Sequence, residues 1–119
     1  MDKKEIGKKG EKIAVEYLKE NGYEIIELNH QKREGEIDII AEDPEFNEIV
    51  FVEVKSRTSN AFGYPEESVD DKKINKIITV ANKWMEENEK DNQFFRIDII
   101  AIELNISPPA INHIKNITL

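Results

Sequence analysis

Asp38, Glu53 and Lys55 are the residues of this chain whose types and spacing could do chemistry. They lie in GEIDIIAEDPEFNEIVFVEVKSR, from Gly35 to Arg57, which reads as two apolar strands joined by a polar turn at Asp43, Pro44 and Asn47. Charge inside apolar strands is costly unless it is paired or coordinated to a metal. Alternation puts Glu36, Asp38 and Ile40 on one side of the first strand and Ile37, Ile39 and Ala41 on the other. In the second strand Phe51, Glu53 and Lys55 share a side, and Val50, Val52 and Val54 take the opposite one. If the register of the hairpin sets Asp38 beside Glu53, two carboxylates and an ammonium converge. A divalent cation removes the repulsion between the carboxylates, and hard oxygen ligands suit Mg²⁺ or Mn²⁺. The bland alternative is a half-exposed sheet whose charges face water or form one surface ion pair.

Composition narrows the remaining chemistry. The 119 residues include no cysteine and two histidines, His30 and His113, far apart in sequence. Disulfides, thiolate catalysis and cysteine-ligated metals are excluded, and any reaction falls to carboxylates and lysines. The formal net charge of −8 counts against binding nucleic acid through overall positive charge. The charges are unevenly spread, however. Lys3, Lys4, Lys8, Lys9 and Lys12 cluster at the start, Lys32 and Arg33 precede the hairpin, and Arg57, Lys72, Lys73 and Lys76 follow it. A basic face is one reading of this pattern, and a solvated helix surface is the other. No apolar run approaches the ~20 residues needed to span a membrane. The N-terminus MDKKEIGKKGEK lacks the apolar stretch of a signal peptide, so a cytoplasmic protein with no membrane partner is expected.

The elements that must position these residues follow from periodicity. Ile6, Ile13, Ala14, Tyr17 and Leu18 have helical spacing between Glu5 and Glu20, and Asn21-Gly22 supplies the stop. Gly7 and Gly10 near the apolar side suggest close packing of this helix on a sheet. Glu11 sits at the edge of the same side, where it can reach a site on the sheet or stay an ordinary exposed glutamate. Tyr23 to Leu28 reads as a strand, Asn29 to Gly35 as a connection, and Ser56 to Glu67 as a loop with turn chemistry at Phe62-Gly63-Tyr64-Pro65. A second helix is expected from about Ser68, its cap, to Glu89, with Ile74, Ile77, Ile78, Ala81, Trp84 and Met85 as its core stripe. Phe94 to Glu103 is a further strand, and Ile111 to Leu119 can add an edge strand after the break at Pro108-Pro109. The order helix, three strands, helix, one or two strands implies an α/β fold: a mixed central sheet covered by helices in one domain over residues 1–119.

A helical Glu, a strand Asp and Glu-x-Lys on the next strand, here Glu11, Asp38 and Glu53-Val54-Lys55, resemble the pattern of the PD-(D/E)XK nuclease superfamily. More closely, GKKGEKIAVEYL, Gly22-Tyr23, GEIDII, FVEVKSR, FGYPEESV and RIDIIAIE together are similar to the small bacterial YraN family, over about Gly7 to Glu103. The chain departs from that pattern at His30-Gln31, where a Trp-Arg pair is expected. The resemblance implies a restriction-endonuclease-like α/β/α sandwich. It also implies Mg²⁺- or Mn²⁺-dependent hydrolysis of phosphodiester bonds in DNA, with Holliday-junction-like branched DNA among the substrates. Asp38 and Glu53 would hold the metal with the backbone carbonyl of Val54, and Glu11 would act through water or on a second ion. Lys55 would position the attacking water, and Arg57 and Lys73 would contact phosphates. A homodimer would match the symmetry of a branched substrate. The rival expectation is a non-catalytic module that uses the same groove to bind nucleic acid or a protein.

Overall fold

The computed structural model describes residues 1–58 and 69–117. The chain runs α1 (Lys3–Glu20), β1 (Glu24–Lys32), β2 (Gly35–Asp43), β3 (Glu48–Arg57), α2 (Asp71–Glu87), β4 (Phe95–Glu103) and β5 (Ala110–Ile114). The strands form one mixed sheet in the order β1-β2-β3-β4-β5. Every neighbouring pair is antiparallel except β3 and β4, which are parallel. That one parallel pair needs a crossover, and α2 supplies it. The fold is thus mixed α/β, and among the described residues no helix is long and apolar enough to cross a membrane.

The two helices cover opposite faces. Ala14 and Leu18 of α1 pack on Ile39, Ala41, Val50, Val52, Ile100 and Ile102, while Ile77, Val80, Ala81, Trp84 and Met85 of α2 pack on Ile37, Ile40, Ile49, Phe51 and Ile97. β2, β3 and β4 are therefore apolar on both sides, as a sheet buried between layers must be. Fully burying each such aliphatic side chain contributes about 1.5–3 kcal/mol.

Four expectations change in detail. β1 continues through Asn29 to Lys32 instead of ending at Leu28, because its polar residues keep pairing with β2, His30 opposite Ile37 and Gln31 opposite Glu36. It is an edge strand, and half its surface meets water, so polar residues are free to occupy it. α2 is capped by Asp70, whose carboxylate accepts the Lys73 N–H at 2.9 Å. Ser68, the expected cap, and Phe62-Gly63-Tyr64-Pro65 lie outside the described residues. β5 is shorter than expected, ending at Ile114, where the chain turns to bring the Asn116 N–H to Asp98. Finally, strict alternation in β2 fails: Ile37 packs with the α2 layer although Ile39 packs with the α1 layer. The break falls at Asp38, and across from it in β1 Asn29 adopts a left-handed φ of 51°, which asparagine tolerates better than most residues.

One end of the sheet holds a buried ionic network. Arg96, 5% exposed, donates to Asp43 at 2.9 Å, Glu48 at 3.2 Å and Asp98 at 3.0 Å, and to the Tyr23 hydroxyl at 3.0 Å. Asp98 also accepts the Asn116 N–H at 2.9 Å and lies 2.7 Å from His113 Nε2. Burial alone would raise the Asp98 pKa, but these partners outweigh it and hold the carboxyl below its ordinary value. Breaking such a network leaves charge buried and uncompensated. Arg96→Ala is expected to cost about 3–5 kcal/mol in denaturant unfolding, and a loss under 1 kcal/mol would contradict this account.

The two helix glycines differ. A methyl at Gly10 would overlap the Ser56 hydroxyl on β3, whereas one at Gly7 meets nothing. Gly10→Ala should destabilise by about 1–3 kcal/mol. Gly7→Ala should stabilise, by up to about 1 kcal/mol, through helix propensity. Paired thermal melts check the opposite signs.

Candidate active site

The site forms where two antiparallel strands part. Pairing of β2 with β3 runs from Asp43–Glu48 to Ile39–Val52 and stops. The next residues in that register are Asp38 and Glu53. The Asp38 carboxylate accepts the Val54 N–H at 2.8 Å, so a side chain takes over a backbone donor where the ladder ends. β3 continues past the fork, held on its other edge by parallel pairing with β4 as far as Arg57–Glu103.

Alternation along β3 sends Ile49 and Phe51 toward α2, and Glu53 follows them. There Lys73, from the first turn of α2, lies 3.0 Å from Glu53 Oε1, and Lys55 lies 3.6 Å from the same atom. Glu53 is buried, 6% exposed, and these two cations are its ion-pair partners. For Lys73, partial burial opposes the charged form, but the hydrogen bond to Glu53 and the charges of Glu53, Asp38 and Glu36 outweigh it and raise the pKa. From the other layer comes Glu11, whose pKa is raised by burial and by Glu36 and Glu53, against a hydrogen bond from the Asn29 side chain.

Asp38 is the most perturbed carboxyl here. Burial first, then the charge of Glu53, lift its pKa to about 7; the Val54 N–H opposes the shift, and Glu11 and Glu36 add to it. The carboxylates together thus exceed the local supply of positive charge. Among the described residues no three of His, Cys, Asp and Glu are gathered closely enough to enclose a metal ion by themselves. Two carboxylates remain adequate for Mg²⁺, which commonly takes one or two from the protein and completes its shell with water and substrate oxygens.

The structure therefore brings together Asp38, Glu53, Val54, Lys55, Lys73 and Glu11. Arg57 stands slightly apart, on the β3 end and 3.1 Å from Glu103 of β4. It lines a cavity of about 450 Å³ with Lys3, Val54, Lys55 and Ser56. Two contributors had not been singled out. Glu36 acts electrostatically on Asp38, Glu11 and Lys73, and its signal was its place two residues before Asp38. Asn29 had no clear signal, because it reaches Glu11 from a strand that sequence had ended one residue earlier.

The comparison with known proteins decides the family. The model of the uncharacterised protein family UPF0102 matches residues 10–102, which include every residue of the fork. The chain belongs to the UPF0102 family. A UPF0102 protein of Persephonella marina is 50% identical over 110 residues, covering 92% of this chain and 90% of that one. A UPF0102 protein of Clostridioides difficile is 48% identical over 116 residues, covering 98% of each chain. One of Caldicellulosiruptor saccharolyticus is 42% identical over 118 residues, again covering 98% of each. This is the YraN-like membership that the motifs resemble, and these relatives match 92–98% of the chain.

The raised Asp38 pKa makes a prediction about stability. The folded state holds a proton on Asp38 up to about pH 7, while the unfolded chain releases it near 3.8. Stability contributed by protonated Asp38 is thus present below pH 3.8 and is lost as pH rises toward about 7. Asp38→Asn keeps an acceptor for the Val54 N–H and removes the charge. Relative to wild type, its stability should match near pH 3, rise through that window and level off above it with a gain of about 2–4 kcal/mol. Melts from pH 3 to 9 measure the difference, and a gain independent of pH would contradict the assignment.

Proposed function

We propose that the chain is a metal-dependent nuclease of the PD-(D/E)XK type, with a restriction-endonuclease-like fold, that hydrolyses phosphodiester bonds in DNA. The observation that carries this reading is the pair Asp38 and Glu53 at the strand fork, where burial and the charge of Glu53 raise the Asp38 pKa to about 7. Glu53 is ion-paired to Lys73 and Lys55, but among the described residues Asp38 enters no ion pair, unlike Asp43 and Asp98, which Arg96 matches.

In this reading Asp38 and Glu53 hold Mg²⁺ or Mn²⁺. The Val54 carbonyl would be a third ligand, since the N–H and C=O of one strand residue face the same neighbour and its N–H faces Asp38. When bound there, such an ion would supply positive charge to polarise the phosphoryl oxygens and acidify the attacking water. Lys55 orients that water and offsets charge building on the phosphoryl group. Glu11 holds water from the α1 side. Lys73 exchanges Glu53 for a phosphate oxygen of the substrate, and Arg57 contacts the next phosphate from the β3 side. Hydrolysis forms one bond from the water oxygen to phosphorus and breaks one ester bond, whose oxygen leaves with a proton. A branched, four-way substrate acted on by a homodimer fits the same chemistry.

The net charge of −8 favours a second reading, a binding module without catalysis. Cleavage of linear, flapped and four-way-branched DNA in Mg²⁺ and Mn²⁺ separates the two. Metal-dependent nicking is expected, reduced about 100-fold or more in Asp38→Ala and Lys55→Ala, the size of loss seen when a transition-state contact is removed. No cleavage of any substrate, with DNA binding unchanged in Asp38→Ala, would establish the module instead.

A further inference from the structure

The β1–β2 turn and the start of α2 enclose a basic cleft that adjoins the fork. The turn residues Arg33 and Glu34 face Lys72, Lys73 and Lys76 across a cavity of about 490 Å³ floored by Ile77. A second cavity, about 750 Å³, continues from it along α2 past Asn75 and Thr79 and shares Arg33, Lys72 and Lys76. Lys72, Lys76 and Thr79 are spaced i, i+4, i+7, one stripe about 10 Å long at 1.5 Å per residue. The channel therefore leads away from Glu53 for more than the length of a single phosphate.

Its charges are arranged for an anionic ligand. Glu34 is ion-paired to Lys83, and Lys32 lies 3.5 Å from Glu87, which fastens the turn to α2; Glu36 and Asp70 are the other acids of the wall. The Asp70 carboxylate is taken by the Lys73 N–H. Lys73 itself belongs to Glu53. Among the described residues, Arg33, Lys72 and Lys76 enter no ion pair. Gly35 brings the turn onto α2: its Cα–H side lies against Lys76 and Val80, where an added methyl would be in ordinary contact, 3.7 Å from each. Basic residues thus outnumber acidic ones, four to three, in a cleft beside the carboxylate site of a chain that is acidic overall.

We infer that this cleft carries the phosphodiester backbone of the DNA strand being cut, beyond the scissile phosphate, with Arg33, Lys72 and Lys76 as the contacts. The inference rests on the nuclease reading for what happens at the fork, but the cleft can bind without it. It places binding and chemistry on different residues: the cleft sets affinity, and the fork sets the rate.

The test measures DNA binding by fluorescence anisotropy across a salt series in the Asp38→Asn chain, and kcat and KM for cleavage in the wild-type background. Lys72→Gln/Lys76→Gln is compared with Lys90→Glu, beyond the far end of α2, which changes net charge by the same amount. The cleft variant should bind about 10-fold or more weakly, with a salt slope smaller by about 2, and should raise KM while kcat holds. Lys90→Glu should change binding less than about 2-fold at moderate salt, where distant charges are screened. Equal weakening by both variants would assign the effect to overall charge and overturn the cleft. Cleavage with unchanged KM in the cleft variant would overturn it while leaving the nuclease. Cleft-dependent binding without cleavage by wild type would sustain the cleft and remove the nuclease. Absence of DNA binding would remove both.

Discussion

The architecture depends on one hydrogen bond, from the Val54 N–H to the Asp38 carboxylate, at the point where β2 and β3 separate. A central strand cannot lose its partner without orphaning backbone donors, and orphaned donors in a buried sheet are costly. Asp38 solves that locally by replacing a missing ladder bond with its side chain. Burial and acceptance of the N–H fix the aspartate in place, and Glu53, next in the register, is set by alternation toward α2 and Lys73. β4 makes this tolerable, because parallel pairing on the other edge continues past the separation as far as Arg57–Glu103.

The same local sequence behaves oppositely elsewhere in the sheet. Ile-Asp-Ile-Ile occurs twice, with Asp38 in β2 and Asp98 in β4. Asp98 is fully buried, yet a guanidinium, an imidazole and a backbone N–H hold its pKa down. Asp38 receives one N–H and faces Glu53, Glu11 and Glu36, so its pKa goes up. Burial works against the charged form in both, and the neighbours decide the outcome. The first arrangement ties β2, β4 and the turn after β5 together. The second leaves stability unrealised at neutral pH.

Charge is organised on the same principle. A net charge of −8 describes the whole chain, but a ligand meets a surface within about a Debye length, roughly 8–10 Å. Glu34 and Glu87, which add to the acidic total, are used to latch the β1–β2 turn to α2. The basic residues left beside the fork come from sequence segments almost forty residues apart, Arg33 and Lys72 to Lys76, and only the sheet brings them to one cleft.

The sequence by itself determined the element order, both helices and their apolar stripes, and the β2–β3 hairpin, because each depends on short-range periodicity and turn residues that every segment carries within itself. It also marked Asp38, Glu53 and Lys55, since charge inside an apolar strand stands out against its neighbours. Tertiary structure alone decided how those charges are matched. The face switch at Asp38 lies opposite the left-handed Asn29 of another strand, the cap of α2 is Asp70, and the length of β1 follows pairing rather than polarity. Lys73 became the counterion of Glu53 because the β3–α2–β4 crossover brings the first turn of α2 over β3. Periodicity says which way a side chain points, but the electrostatics of a buried carboxylate depends on groups a few ångströms away in space and tens of residues away in sequence.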